Sequence, residues 1–347
     1  MRGFARHALF VFTVAVIIVV GSERMFWYWS ASPLVHPEAA LFYSASAAAF
    51  LAVLRRFEVH SLTGVVLATP IVAYVTEGVI TPVLYSGGPT PFFPLWFTAW
   101  HGLLSALVLF VLIRRWAIAG RTRAVAGLSL GLGAFWGTWL ITSLLPDQLE
   151  DPELVTEHGE LVAMAPTEFA VYATTFTAIA LAAHLVLDRV WPIEPTTLFA
   201  RTEKVLGAVL LVGAAAWTVA APWALPMFVG LCWVQFRVLR RHRDHRPVDR
   251  PTVLESMRGP ASWRSLTPVV LMAPVAALTY WAWWSIEPSE AVLNGIYFGV
   301  IAVQTLIAGA VLVVSWRRTR RAPDDGGAIV ESSGPSAPAD ATVDVAR

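Results

Sequence analysis

Apolar runs of roughly 20 residues, separated by short polar or proline-containing breaks, recur along the chain from Ala8 to Trp316. At about 1.5 Å per helical residue, each is long enough to cross about 30 Å of hydrocarbon. The pattern predicts ten helices, over residues 8–29, 38–54, 61–85, 92–113, 124–145, 167–187, 204–221, 222–238, 267–285 and 292–315. Only AAPWALP separates the seventh from the eighth, so a nine-span chain with one long or re-entrant segment is the alternative. The expected fold is an all-α, polytopic transmembrane helix bundle.

Composition agrees with this reading. Of 347 residues, 56% are hydrophobic and 14% charged, with mean hydropathy +0.62, outside the range of ordinary soluble domains. Charge placement adds orientation, because basic residues near helix ends stay on the cytoplasmic side. Threading ten helices from a cytoplasmic N-terminus puts Arg2/Arg6, Arg55/Arg56, Arg114 through Arg123, Arg189 through Lys204, Arg237 through Arg264, Arg317 through Arg321 and Arg347 inside. That is 24 of the 25 bases, leaving only Arg24 outside. Both termini are therefore expected in the cytoplasm, and the plasma membrane is the expected location.

The domain organisation follows. Residues 1–321 read as one transmembrane domain, with a basic cytoplasmic loop at about 239–266 and an outer loop at about 146–166. The outer loop carries Asp147, Glu150, Asp151, Glu153, Glu157 and Glu160 and no base. Residues 322–347, rich in Pro, Gly, Ser, Ala and Asp without apolar periodicity, read as a disordered cytoplasmic tail. MRGFARH before ALFVFTVAVIIVV has the shape of a signal peptide, but no clear small-residue cleavage site follows, so the first helix is expected to remain. Tryptophans such as Trp139, Trp223 and Trp281 fall near the outer boundary, as an interfacial belt would. Gly127/Gly131 and Gly133/Gly137 have the four-residue spacing that lets helix backbones approach closely in lipid.

Candidate chemistry lies in a few polar residues within the greasy runs. Glu77 precedes the loop after the third helix by eight residues, and His101 follows it by eight, from Tyr85 and Phe93 respectively. Both should then lie about 12 Å below the outer boundary on antiparallel neighbours. An ionisable group at that depth needs a partner, a proton or water, and such groups mark functional sites. Pro70, Gly78 and Pro82 mark the third helix as interrupted, which frees carbonyls that need partners. At helical spacing Tyr74 and Thr81 share the face of Glu77, and Thr98 and Ser105 that of His101. Glu23 and Arg24 late in the first helix, and Glu168 at the start of the sixth, are candidates to join them.

Other chemistries fit poorly. His101 and His184 belong to different depths, which excludes a bis-histidine haem. Zinc-protease, dinucleotide and phosphate-loop motifs are absent, and the sole lysine, Lys204, opens a helix. A single cysteine, Cys232, excludes an internal disulfide or thiolate cluster. No metal, cofactor or nucleic acid is expected; the bilayer is the partner. Three functions are compatible with the pattern: a proton-linked carrier of a small molecule, a membrane-embedded enzyme acting on a lipid or lipid-linked substrate, and a structural subunit of a membrane complex. The pattern decides neither between them nor on oligomeric state.

Overall fold

A computed structural model describes residues 2–26, 37–145, 164–191, 203–247 and 249–320. Most of the acidic outer loop and the whole of 322–347 lie outside the described residues. Ten long helical rods follow one another among the described residues, which contain no strand. They are α1 (Phe4–Arg24), α2 (Ala39–Arg56), α3 (Leu62–Ile80), α4 (Phe92–Ile118), α5 (Thr122–Leu144), α6 (Pro166–Val190), α7 (Lys204–Val219), α8 (Ala224–Asp244), α9 (Trp263–Ser285) and α10 (Glu290–Arg320). Eight are long and apolar enough to cross a membrane; α7 is shorter, and α8 carries arginines through its last turns. Length and composition thus mark a membrane-embedded helical protein.

Burial ranks the rods. The most apolar windows of α3 and α4 are 83% and 72% buried, whereas that of α10 is 17% buried. The α3–α4 hairpin is therefore the centre of the bundle, and α10 lies along its flank with most of its surface outward. Around the hairpin, α1 packs on α2, α4 and α6, while α9 bridges α5 and α6. The third helix ends earlier than its pattern suggests: Thr81 is extended, and Pro82–Tyr85 form a separate turn. Proline at 82 has no N–H to continue the ladder, and this is where the chain leaves it.

Close approaches divide the glycines. A Cβ on Gly133 or Gly137 would collide with the carbonyl oxygens of Met272 and Ala276, so α5 and α9 touch backbone to backbone. Gly127 and Gly131 have nothing within 4 Å. The spacing signal thus serves packing within the chain at one pair and leaves the other facing outward. Gly102 lies against the Thr69 carbonyl and Gly21 against Ser105, which brings α3 and α1 tightly onto α4.

The arginine-rich ends of the rods converge. Arg6 at the start of α1 donates to the Arg189 and Trp191 carbonyls at the end of α6 at 3.1 and 2.9 Å. Arg114, fully buried at the end of α4, pairs with Asp188 at 2.6 Å and donates to the His184 and Gly259 carbonyls at 2.9 and 2.7 Å. This charge is removed from water but is met by a carboxylate and two carbonyls, the condition for burying one. His60 stacks on His242 at 4.1 Å with the rings nearly parallel, and His242 Nε2 lies against Gly64 without a hydrogen-bond partner.

Two outcomes follow. Gly137→Leu lowers stability by about 3 kcal/mol or more through overpacking, whereas Gly127→Leu changes it by less than about 0.5 kcal/mol; melting of the detergent-solubilised protein reads both. His60 and His242 lie outside the apolar stretches, and burial, helped by the charge of Arg250, holds both imidazoles below their ordinary 6.5, His242 at about 4. As pH falls the unfolded chain takes up these protons first, so the stacked pair's contribution is complete above about pH 6.5 and is lost toward pH 4. Melting at pH 5 should fall by the equivalent of about 1–2 kcal/mol relative to pH 7.5, and His242→Phe should reduce that difference.

Candidate functional site

Three of the ten rods contain π-helical segments, each at a predicted polar residue. Val20–Arg24 in α1, Thr76–Ile80 in α3 and Thr98–Leu112 in α4 are π-helical and carry Glu23, Glu77 and His101. In a π turn the bond runs from i to i+5, which shifts the register of side chains and frees carbonyls at its ends. Such carbonyls cannot stay unpaired in lipid. Indole N–H groups meet carbonyls in or near two of these segments: Trp100 Nε1 donates to Ser22 O at 2.7 Å, Trp139 to Phe26 O at 2.7 Å and Trp217 to Val79 O at 2.9 Å, while Trp223 donates to Tyr85 O, in the turn beyond α3, at 3.2 Å. Trp139 is 2% exposed, whereas Trp223 is 38% exposed while bonding the turn after α3.

Glu77 and His101 meet. His101 Nε2 lies 2.6 Å from Glu77 Oε1, with the imidazole fully buried and the glutamate 7% exposed. The other carboxylate oxygen, Oε2, accepts from Thr81 Oγ1 at 2.9 Å. On the far side of the ring, His101 Nδ1 lies 3.3 Å from Tyr43 Oη, and Tyr43 donates to Glu23 Oε1. The result is one continuous chain, Glu23–Tyr43–His101–Glu77–Thr81, drawn from α1, α2, α4 and the end of α3. Trp100 stacks on the imidazole at 4.5 Å and Phe26 on Trp100 at 4.5 Å, so the ring plane is held from one face. Ser46 Oγ bonds Thr76 Oγ1 at 2.8 Å and ties α2 to α3 beside it.

The remaining candidates lie elsewhere. Tyr74, on the face of Glu77 in a regular helix, is turned by the altered geometry toward α8, in a cleft with Leu231 and Gln235. Thr98 Oγ1 donates to Pro94 O at 2.6 Å and Ser105 Oγ to Trp100 O at 3.1 Å, so both hydroxyls serve their own helix. Glu168 is exposed and accepts from Ala165 N at 3.0 Å, capping α6. Arg24 is 4% exposed with its guanidinium 5.2 Å from the Phe176 ring, rather than reaching outward. Among the described residues no group of three His, Cys, Asp or Glu side chains could hold a metal ion.

Tyr43 is the member that counting did not find. It lies five residues into the second apolar run, at about 8 Å depth, within reach of His101's level. Depth bookkeeping of every polar tip, not only of ionisable ones, would have flagged it. Chemically, the chain alternates groups that can each give and take a proton: a proton accepted at one carboxylate can be passed through imidazole and phenol to the other, between atoms already in contact. No family model, curated protein or solved structure matches this chain.

The buried pair makes its own prediction. His101→Leu leaves Glu77 buried without its imidazole and should cost about 3–5 kcal/mol; Glu77→Leu/His101→Leu together should recover part of that loss. A double-mutant cycle on melting or SDS-induced unfolding measures the coupling.

Proposed function

We propose that this chain is a ten-span carrier of the plasma membrane that moves a small molecule in exchange with, or together with, protons bound at Glu77 and relayed by His101. In this reading the arginine-rich ends of the helices face the cytoplasm and the polar chain lies in the outer half of the bilayer. The observation that supports it most is the unbroken Glu23–Tyr43–His101–Glu77–Thr81 hydrogen-bonded chain inside an apolar core. Two carboxyls and an imidazole sharing protons at membrane depth are more than helix pairing requires, since one hydrogen bond would fix α3 against α4. Thr81 is exposed and Glu23 partly so, while Tyr43, His101 and Glu77 between them are buried, so the middle of the chain is enclosed and its two ends are not. The broken end of α3 supplies irregular backbone next to the carboxylate, as substrate sites in carriers do.

One feature favours a second reading, an enzyme acting on a lipid or lipid-linked substrate. Thr81 and Val83 are exposed beside Glu77, which gives an approach from the lipid side. There Glu77 would act as general base and His101 as its acid partner.

Proteoliposomes loaded with a pH dye and challenged with a panel of organic acids, amines, sugars and inorganic ions test the carrier. One class should drive proton movement, and Glu77→Gln should reduce it at least tenfold, with Tyr43→Phe giving a smaller loss. An identified substrate whose flux keeps its pH dependence in Glu77→Gln would end this reading. Turnover of an added lipid without flux of any solute would establish the second.

A further inference from the structure

At the arginine-rich end, α3, α8 and α10 enclose an open cleft of about 670 Å³. Its direction follows from the helices: α8 and α10 run out to their basic ends, and α3 begins there. Leu231, Tyr74 and Leu312 wall the inner part, and Arg237, Arg241 and Arg320 the outer part. From Leu231 to Arg241 is ten residues, about 15 Å of helix. The cleft thus runs about 15 Å from its apolar inner end to its cationic mouth, with about 9 Å of it, from Leu231 to Arg237, before the first arginine, room for part of an acyl chain.

The mouth is held for anion binding. Arg237 lies over the Trp233 ring at 5.3 Å and Arg320 over Trp316 at 4.8 Å, each one turn along its own helix, so both guanidinium groups are held by indoles rather than by carboxylates. No acidic residue lines the cleft, and among the described residues none pairs with Arg237, Arg241 or Arg320. Within the wall, Gln235 is 7% exposed; its Nε2 donates to the Leu67 and Ala68 carbonyls at 3.1 and 2.9 Å, and its Oε1 has no protein partner. The basic rim continues around α8 into a second hollow, where Arg240 and Arg243 join Arg237.

We propose that this cleft is a binding site for an anionic phospholipid of the leaflet at the arginine-rich end. Its acyl chain lies between Tyr74, Leu231 and Leu312, and its phosphate is held by Arg237, Arg241 and Arg320. Guanidinium groups match phosphate oxygens with paired hydrogen bonds. A lipid satisfies both halves at once, whereas free phosphate would leave the apolar half uncovered. The site is separate from the Glu77–His101 chain and does not rest on the carrier reading.

The test uses the full chain, purified in a neutral detergent and stripped of lipid, titrated with dioleoyl phosphatidylglycerol or dioleoyl phosphatidylcholine and followed by native mass spectrometry and melting. The wild type should bind phosphatidylglycerol at least tenfold more tightly. Arg237→Gln/Arg241→Gln/Arg320→Gln should lose that preference, while the control Arg258→Gln/Arg317→Gln/Arg318→Gln, outside the cleft, keeps it. Leu312→Trp should weaken binding with all charges in place. If the triple variant does not fold, Arg241→Gln and Arg320→Gln singly should each reduce the preference about threefold. Equal binding of both lipids, equal loss in the control, or full competition by millimolar inorganic phosphate would overturn the proposal. So would a preference that emerges only after deletion of 322–347, which would assign the cleft to the chain's own acidic tail.

Discussion

The rule that no backbone carbonyl may stay unpaired in hydrocarbon governs this structure more than any single contact. Each π segment that carries a polar residue also creates carbonyls that a regular helix would have used. Trp100, Trp139 and Trp217 donate indole N–H groups in or near two of these segments, and His184 Nε2 lies 3.0 Å from the Leu109 carbonyl of the third. An indole brings a large apolar ring along with one donor, so it closes a carbonyl without importing a second polar group. The distortions that bring Glu23, Glu77 and His101 together are thus compatible with lipid because aromatic side chains from other helices complete them.

The same logic separates two kinds of buried charge. Arg114 is matched on all sides by Asp188 and backbone carbonyls, and Ala261 N shares the same carboxylate oxygen at 3.1 Å. It fastens α4, α6 and the segment before α9, and its groups have little freedom to exchange partners. The Glu77–His101 chain is different in kind. Its members are few, each can act as donor or acceptor, and one end reaches exposed Thr81. Burial with full satisfaction suits a clamp, whereas burial with exchangeable protons suits chemistry.

Much of this was readable from residues alone, for definite reasons. The apolar runs placed rod starts within four residues, while the ends of α1, α3, α4, α8 and α10 differ by five or six, because polar and aromatic flanks let a helix stop short of or outrun its apolar run. Equal counts of eight residues, back from Tyr85 and on from Phe93, predicted one depth for Glu77 and His101, and they do bond. What could not be read was rotation. A π stretch such as TAWHGLLSALVLFVL has no local signature, so Thr98 and Ser105, assigned to the site by 3.6-residue spacing, serve their own backbone instead. Tyr74, in the α-helical turn before the π segment of α3, lines the cleft with Leu231 and Gln235 instead. Tyr43 comes from a helix remote in sequence, and only packing brings its phenol between the imidazole and Glu23. The glycine spacing in α5 was a true signal, but which pair would meet a neighbour depended on where α9 lies.

The fifteen-residue π stretch of α4 has a mechanical consequence. One end is bolted down at Arg114, and the other presents His101 to its partners. A helix that slips between i+5 and i+4 bonding with one end fixed must twist about its axis. Such a slip would swing the imidazole through an arc and uncouple it from both carboxylates without any helix having to tilt. The rod is built like a torsion bar, with the imidazole as its arm.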